Sequence, residues 1–353
     1  TFSSRGLGDV YKRQTPLPGT GGWDYVNEIS AHPTNADVLL AATGSGLWYT
    51  EDGGSSWELC QRAGSSNMLS TANDVKFGSD GVAHASYTNR YYRSVGTDYT
   101  TFDNQAVGAP DGAIARLELA VSHSDPNYIY LYTAASGSTN LEGVYQSKDN
   151  GNNFTSLTAG VSDNFFNPPG EQGWYNLCIA VNSGDPGRIY IGGQIDMWSW
   201  TEATGAWNQI AFACGDPLSF NKCVHADQHV IVSHPANPDV LYIGSDGGIH
   251  KSFNASVAYP DFTTLHKGYN TLQPYAVAAG YDGGVAGGTQ DNGTQYMNLD
   301  GNNLLEAVEI LGGDGGTTEI SKIKPNFIFA SFMDFGAESS VIRRSVNGCL
   351  LYT

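Results

Sequence analysis

The stretch Asp125-Pro126-Asn127-Tyr128-Ile129-Tyr130 places a Pro/Asn/Asp turn directly before an apolar β strand. Asp and Asn bond their own backbone two residues on, and Pro fixes φ, so such a hexapeptide reads as a turn feeding a strand. The pattern returns at Pro33-Thr34-Asn35-Ala36-Asp37-Val38-Leu39-Leu40, at Asp185-Pro186-Gly187-Arg188-Ile189-Tyr190, at Asn237-Pro238-Asp239-Val240-Leu241-Tyr242 and at Lys324-Pro325-Asn326-Phe327-Ile328-Phe329. Taking Leu40, Tyr130, Tyr190, Tyr242 and Phe329 as markers, the separations are 90, 60, 52 and 87 residues, and the two long gaps hold weaker copies near Val82 and Val285. A unit of roughly 42 to 60 residues is the spacing of four-stranded propeller blades. The expected fold is therefore all-β: a β-propeller of about seven four-stranded blades, the last incomplete, in an open or truncated ring.

A second signal shares this period. Thr50-Glu51-Asp52-Gly53-Gly54-Ser55-Ser56-Trp57 and Ser147-Lys148-Asp149-Asn150-Gly151-Asn152-Asn153-Phe154 both fit S/T-x-D-x-G-x-x-aromatic. The Asp can accept from turn amides, the Gly admits positive φ, and the ring can fill the gap between sheets. Thr50, Asp52, Gly54 and Trp57, with Ser147, Asp149, Gly151 and Phe154, are thus structural candidates. Degenerate copies sit at Ser252-Phe253-Asn254 and Ser345-Val346-Asn347, so the Ser/Thr starts lie 97, 105 and 93 residues apart, about two blades each.

These hairpins resemble the Asp-box, or bacterial neuraminidase repeat, of sialidases, sortilin-type receptors and xyloglucan-cleaving two-propeller glycosidases. The resemblance covers nearly the whole chain and speaks to architecture more than to activity. His225-Ala226-Asp227-Gln228-His229, with Gly288-Thr289-Gln290-Asp291-Asn292-Gly293-Thr294, is similar to large cell-surface proteins of Bacteroidota that are exported by type nine secretion.

Composition agrees with the repeats. Among 353 residues only 15% are charged, whereas 44 are Gly, 20 Tyr, 14 Phe and 7 Trp, a balance that favours strands and turns over long helices. The formal net charge of −18 repels phosphate backbones and anionic lipid, which argues against a nucleic-acid partner. No apolar run reaches the ~20 residues of a membrane-spanning helix, so membrane insertion is not expected. Residues 1–14 and 349–353 resemble translated sequencing adapters, leaving 15–348 as the expected propeller segment of a longer protein, with any signal peptide or sorting tail beyond it. The last unit lacks a fourth strand, which Thr15-Pro16-Leu17-Pro18 could supply. Of Cys60, Cys178, Cys214 and Cys223, the last two are close enough across a Gly-Asp-Pro loop for a disulfide, the alternative being two unpaired thiols.

Blade topology sorts the polar motifs. The turn joining strands one and two, and the hairpin joining three and four, lie on one face. The loop joining two and three, and the link into the next inner strand, lie on the other, where function usually sits. Asp125, Asp185, Asp239 and Asp282 fall on the structural face. The opposite face collects His225, Asp227 and His229 before Val230-Ile231-Val232, Asp246 in Asp246-Gly247-Gly248, then Gln290, Asp291 and Asn292, and finally Asp314 in Asp314-Gly315-Gly316.

If extended, His225, Asp227 and His229 project one way and could orient an acid/base His or hold a divalent cation, though no cofactor is called for. The alternative is that they pin the start of the inner strand through backbone hydrogen bonds. Asp227, Asp246, Asp291 and Asp314, with His229, are the candidate catalytic groups, because glycoside hydrolysis needs two carboxyls about 5 to 9.5 Å apart. Xyloglucan-type glycosidases use propeller-loop aspartates, some in Asp-Val-Gly-Gly where this chain has Asp-Gly-Gly. A sialidase is disfavoured, since the Arg-Ile-Pro motif of its arginine triad is missing. His225, Gln290 and Asn292 are candidate substrate-binding groups. Trp23 and Tyr25 precede the first inner strand, and Trp174 and Tyr175 the fourth, where their rings would stack on sugars or else pack between blades. The reading is a secreted, glycan-active propeller with hydrolysis by the aspartates; the alternatives are a non-catalytic sortilin-like propeller binding glycan, peptide or protein, and a structural module of an adhesin.

Overall fold

The computed structural model describes residues 25–159, 161, 166–213, 222–265, 272–298, 307–333 and 342–345. Every regular element among them is a strand, none a helix, and these strands form seven sheets, each built on an antiparallel meander. They are the blades of an all-β propeller of about seven blades. By contacts the chain divides into two units. The first holds residues up to Ser245 with Ile249–Leu265, the second Asp246–Gly248 with His266–Thr353.

In the first unit, five blades begin with the inner strands Val26–Ala31, Ala72–Phe77, Ile114–Val121, Cys178–Val181 and Gln228–Ser233. The second strands carry the repeat markers: Leu39–Thr43, Ala83–Tyr87, Ile129–Ala135, Arg188–Gly192 and Leu241–Ser245. The turns between these strands form as their residues dictate. Asp125 Oδ1 accepts the Asn127 amide at 3.0 Å and Asp185 Oδ1 the Gly187 amide at 3.0 Å, while Asn237 Oδ1 accepts the Asp239 amide at 3.1 Å. The weaker copy behaves alike, Asp80 Oδ1 taking the Val82 amide at 3.1 Å.

The aspartate hairpins close as small hydrogen-bonded cages. Thr50 Oγ1 accepts the Gly54 amide at 3.0 Å, and Asp52 Oδ1 accepts the Ser56 amide at 2.9 Å. Ser147 Oγ accepts from Gly151 at 2.9 Å, while Asp149 Oδ1 accepts from Asn152 at 3.1 Å and Asn153 at 2.9 Å. Gly54 and Gly151 have φ of 89° and 76°, where a Cβ is disfavoured. The degenerate copy repeats the scheme with an amide: Ser252 Oγ donates to Asn254 Oδ1 at 3.0 Å, and that oxygen accepts the Asp261 amide at 2.9 Å. Asn347, of the last copy, lies outside the described residues.

The core lies between blades. One cluster joins Leu40 and Leu47 to Val75, Tyr92 and Phe102; another joins Tyr130 and Tyr132 to Ile189, Ile191, Trp198 and Trp200. Phe154 docks on the preceding blade, its ring 4.9 Å from that of Tyr91 at 72°. The tyrosines of the second strands also bond across. Tyr130 Oη donates to Pro186 O at 2.7 Å and Tyr190 Oη to Ala255 O at 3.0 Å, so a repeated Tyr satisfies the neighbouring turn.

In the second unit, the blade starting at Pro274–Ala279 has four strands and the next, starting at Asp314–Ile320, has three among the described residues. Ala286, Ile310, Ile320 and Ile328 form their shared core. Thr15-Pro16-Leu17-Pro18 lies outside the described residues.

Candidate functional site

The inner strands of the first unit carry a feature that spacing alone does not reveal. In four of the five, one residue is bulged out of the pairing with the second strand: Asn27, Asn73, Ala115 and His229. A bulge inserts a residue and re-aims the side chains beyond it. Residues two apart on an inner strand share one side, and all five inner strands bound a cavity of about 550 Å³.

Glu28, Asp74, Lys76, Glu118 and His229 are among its walls. Lys76 Nζ lies 2.9 Å from both Glu28 Oε1 and Asp74 Oδ1. Burial works against the Lys76 charge, but the two carboxylates outweigh it and raise its pKa. Asp74 Oδ2 accepts the Leu119 amide of the next blade at 2.9 Å, tying one inner strand to its neighbour. Arg116 Nε donates to Glu118 Oε1 at 2.7 Å. Burial, and then the negative charge of Asp74, push the Glu118 carboxyl up to about 8 despite this arginine. Apart from His229, none of these charged residues is legible as a site from the motifs. The signal that would have found them is the charged i, i+2 pairs, Asp74/Lys76 and Arg116/Glu118, inside otherwise apolar strands.

The predicted aromatic pair touches one wall of this cavity, at His229. Trp174 and Tyr175 precede the fourth inner strand and are 62% and 42% exposed, their rings 5.5 Å apart and tilted by 40°. They are presented by a tightly fixed loop. Tyr175 N and Asn176 N both donate to Gln172 O, at 2.7 and 3.0 Å, and Gln194 Oε1 accepts the Glu171 amide at 2.9 Å. Gly173 has no room for a side chain: a Cβ there would collide with Thr139 O. The Tyr175 ring meets His229 edge-on at 4.7 Å, and Arg116 Nη1 donates to the carbonyls of Trp174 and Tyr175 at 3.2 and 2.7 Å. Tyr25, 74% exposed, precedes the first inner strand as predicted; Trp23 lies outside the described residues.

The His225–His229 segment departs from the expected extended alternation. Asp227 adopts φ of 59°, the left-handed region that Asp tolerates better than most residues, so the chain bends between His225 and His229. Buried Gln228 imposes the bend: its Oε1 accepts the Gly193 amide at 3.0 Å and its Nε2 donates to His225 O at 2.8 Å. The Asp227 amide donates to Gln194 O at 2.8 Å, and the Asp227 carboxylate accepts from Asn176 Nδ2. His225 Nδ1 lies 3.0 Å from Ala226 O. His229 is exposed at the bulge of its strand.

In the second unit, the carboxylate oxygens of Asp246 and Asp291 lie within 4.8 Å of each other. Asp291 has φ of 59°, the same as Asp227. Asp314 is the first residue of its inner strand rather than preceding it, and its Oδ1 accepts the Asp291 amide at 2.8 Å. It therefore shapes the Gln290–Gly293 turn instead of standing free. Asn292 Nδ2 donates to Gln290 O at 3.0 Å, and Gln290 N to Gln273 O at 3.0 Å. Elsewhere Cys60 and Cys178 are buried free thiols, while Cys223 is disulfide-bonded; Cys214, its predicted partner, lies outside the described residues.

No protein-family model matches the chain, and no curated protein matches its sequence. Among solved structures, it is similar to the GH74 xyloglucanase from Xanthomonas campestris, with a TM-score of 0.67 and 13% identity over 95% of this chain and 53% of that one. PorZ, a surface component of the type-IX secretion system of Porphyromonas gingivalis, aligns with a TM-score of 0.48 and 10% identity over 93% of this chain and 40% of that chain. The first likeness establishes the propeller fold. This chain spans about half the length of the xyloglucanase.

Proposed function

We propose that this chain is an extracellular, glycan-binding propeller of the Asp-box type. The observation that carries the reading is the Trp174–Tyr175 pair, exposed yet held by a fixed loop, with the Tyr175 ring against His229 of the cavity wall. Exposed aromatic faces release water readily onto the apolar faces of sugar rings, and a preformed platform avoids the entropy of ordering the loop on binding. The bonded Cys223 favours an oxidising, extracellular setting. The test is affinity electrophoresis through gels containing xyloglucan and other soluble polysaccharides, beside a glycan array. Wild-type protein is retarded by at least one glycan and Trp174→Ala is not; a wild-type protein that no glycan retards or captures overturns the reading.

A second reading, glycoside hydrolysis, is favoured by the close approach of Asp246 and Asp291. Carboxyls about 5 Å apart suit a nucleophile and an acid/base partner in a retaining glycosidase. Asp246→Asn or Asp291→Asn then abolishes release of reducing sugar from a polysaccharide that the platform binds, with binding retained. The xyloglucanase likeness makes xyloglucan the first substrate to try.

A further inference from the structure

We infer that Arg116 is the positioning residue of the Trp174–Tyr175 platform and that Glu118 holds Arg116 in place, so that sugar affinity at the rim is governed from inside the cavity. The inference rests on the platform being the glycan site. Its structural half stands on geometry alone.

Arg116 and Glu118 share one face of the strand Ile114–Val121, two residues apart. The guanidinium uses two edges at once. Its Nε reaches Glu118 Oε1 at 2.7 Å, and its Nη1 reaches the consecutive carbonyls of Trp174 and Tyr175 at 3.2 and 2.7 Å. Capturing two successive carbonyls fixes the peptide plane between them, and that plane sets the direction in which both side chains leave the backbone. The loop's own turn holds the amide side of this stretch, Tyr175 N and Asn176 N both donating to Gln172 O, and Arg116 holds the carbonyl side, so the platform is clamped from both edges. Glu118 cannot swing away freely, because Asp74 and Lys76 of the second inner strand, Glu28 of the first and His229 of the fifth crowd the same cavity, with buried Cys178 on the fourth.

A lysine has no second edge, so Arg116→Lys cannot span Glu118 and both carbonyls. Gln in place of Glu118 keeps the accepting oxygen, whereas Leu removes it. Arg116→Ala, Arg116→Lys, Glu118→Gln and Glu118→Leu are each made with and without Trp174→Phe. The near-ultraviolet circular dichroism difference within each pair isolates the band of Trp174 stacked on Tyr175, without any ligand. Retardation in xyloglucan gels, or with whichever array glycan the wild type binds, reads affinity.

The expected result is loss of most of the Trp174 band, and about a tenfold fall in affinity, in Arg116→Ala, Arg116→Lys and Glu118→Leu, the size of one lost charge-assisted hydrogen bond. Glu118→Gln restores both. If Arg116→Ala does not fold, the Lys, Gln and Leu variants decide the matter by the same pattern. A wild-type band and affinity in Arg116→Lys and Glu118→Leu overturn the inference. A band that follows the expected pattern in a protein that binds no glycan upholds the positioning role and sinks the platform's function instead.

Discussion

Phe154→Ala tests whether the aromatic residue closing each aspartate hairpin joins blades or merely ends a turn. Phe154 is 7% exposed and packs with Tyr91, Leu117, Leu119, Ile129 and Leu131, so truncation leaves a cavity that spans two sheets. A buried Phe→Ala change costs about 3–5 kcal/mol, of which about 0.5–1.5 kcal/mol is the edge-to-face contact with Tyr91. For a unit of this size each kcal/mol moves the melting temperature by about 2–4 °C, so Tm falls by about 6–20 °C. Differential scanning calorimetry measures the fall. A double-mutant cycle with Tyr91→Leu measures the coupling, expected at about 0.5–1.5 kcal/mol. A Tm fall below about 3 °C, or strict additivity with Tyr91→Leu, would refute the idea that these rings seal one blade to the previous one.

Acid should weaken the hairpins. Asp52 is lowered to about 2, first by the Ser56 amide, then by the Ser56 and Thr50 hydroxyls, so its contribution is present above the unfolded carboxylate range and is lost as pH falls through about 2. Asp52→Asn removes that part of the acid sensitivity between about pH 4 and 2 in a urea titration repeated at each pH. Glu118 acts oppositely: burial raises its pKa to about 8, so its contribution is complete below the unfolded carboxylate range and lost as pH climbs towards 8. Glu118→Gln therefore gains stability over wild type as pH rises from about 4.5 to 8, with no further gain above. His84 is buried beside Arg93 and lowered to about 3, mainly by burial, so the native state is penalised as pH drops below the ordinary histidine range. His84→Gln flattens that slope between about pH 6.5 and 3 in the same titrations.

The blades are legible because their signals are local. Asp125 and Asp185 bond amides two residues away, and Asp52 and Asp149 bond amides within four, so the sequence neighbourhood contains both partners. Tyr130 and Tyr190 mark the second strands for a reason found only in three dimensions, their hydroxyls reaching the next blade's turn. Trp174 and Tyr175 stand exposed ahead of the fourth inner strand, where their sequence position puts them. The alternation of His225, Asp227 and His229 fails because one left-handed residue cancels a period of two, and nothing in the string marks Asp227 as that residue. Asp314 reads as a free carboxylate in the sequence, yet it serves the Asp291 amide 23 positions earlier in the chain. The cavity charges escape the motifs because Asp74 and Lys76 belong to one repeat and Arg116 and Glu118 to another, and only the side-by-side arrangement of inner strands makes them neighbours.

The bulges at Asn27, Asn73, Ala115 and His229, with another at Tyr275, have a bearing on how such a protein diversifies. Each bulged position sits outside the ladder between its strands, so mutation can sample it without breaking a pairing. Amide, methyl, imidazole and phenol already occupy the same slot in different repeats. A lineage can thus exchange the side chain in this slot one module at a time, much as a typesetter changes letters in a locked frame.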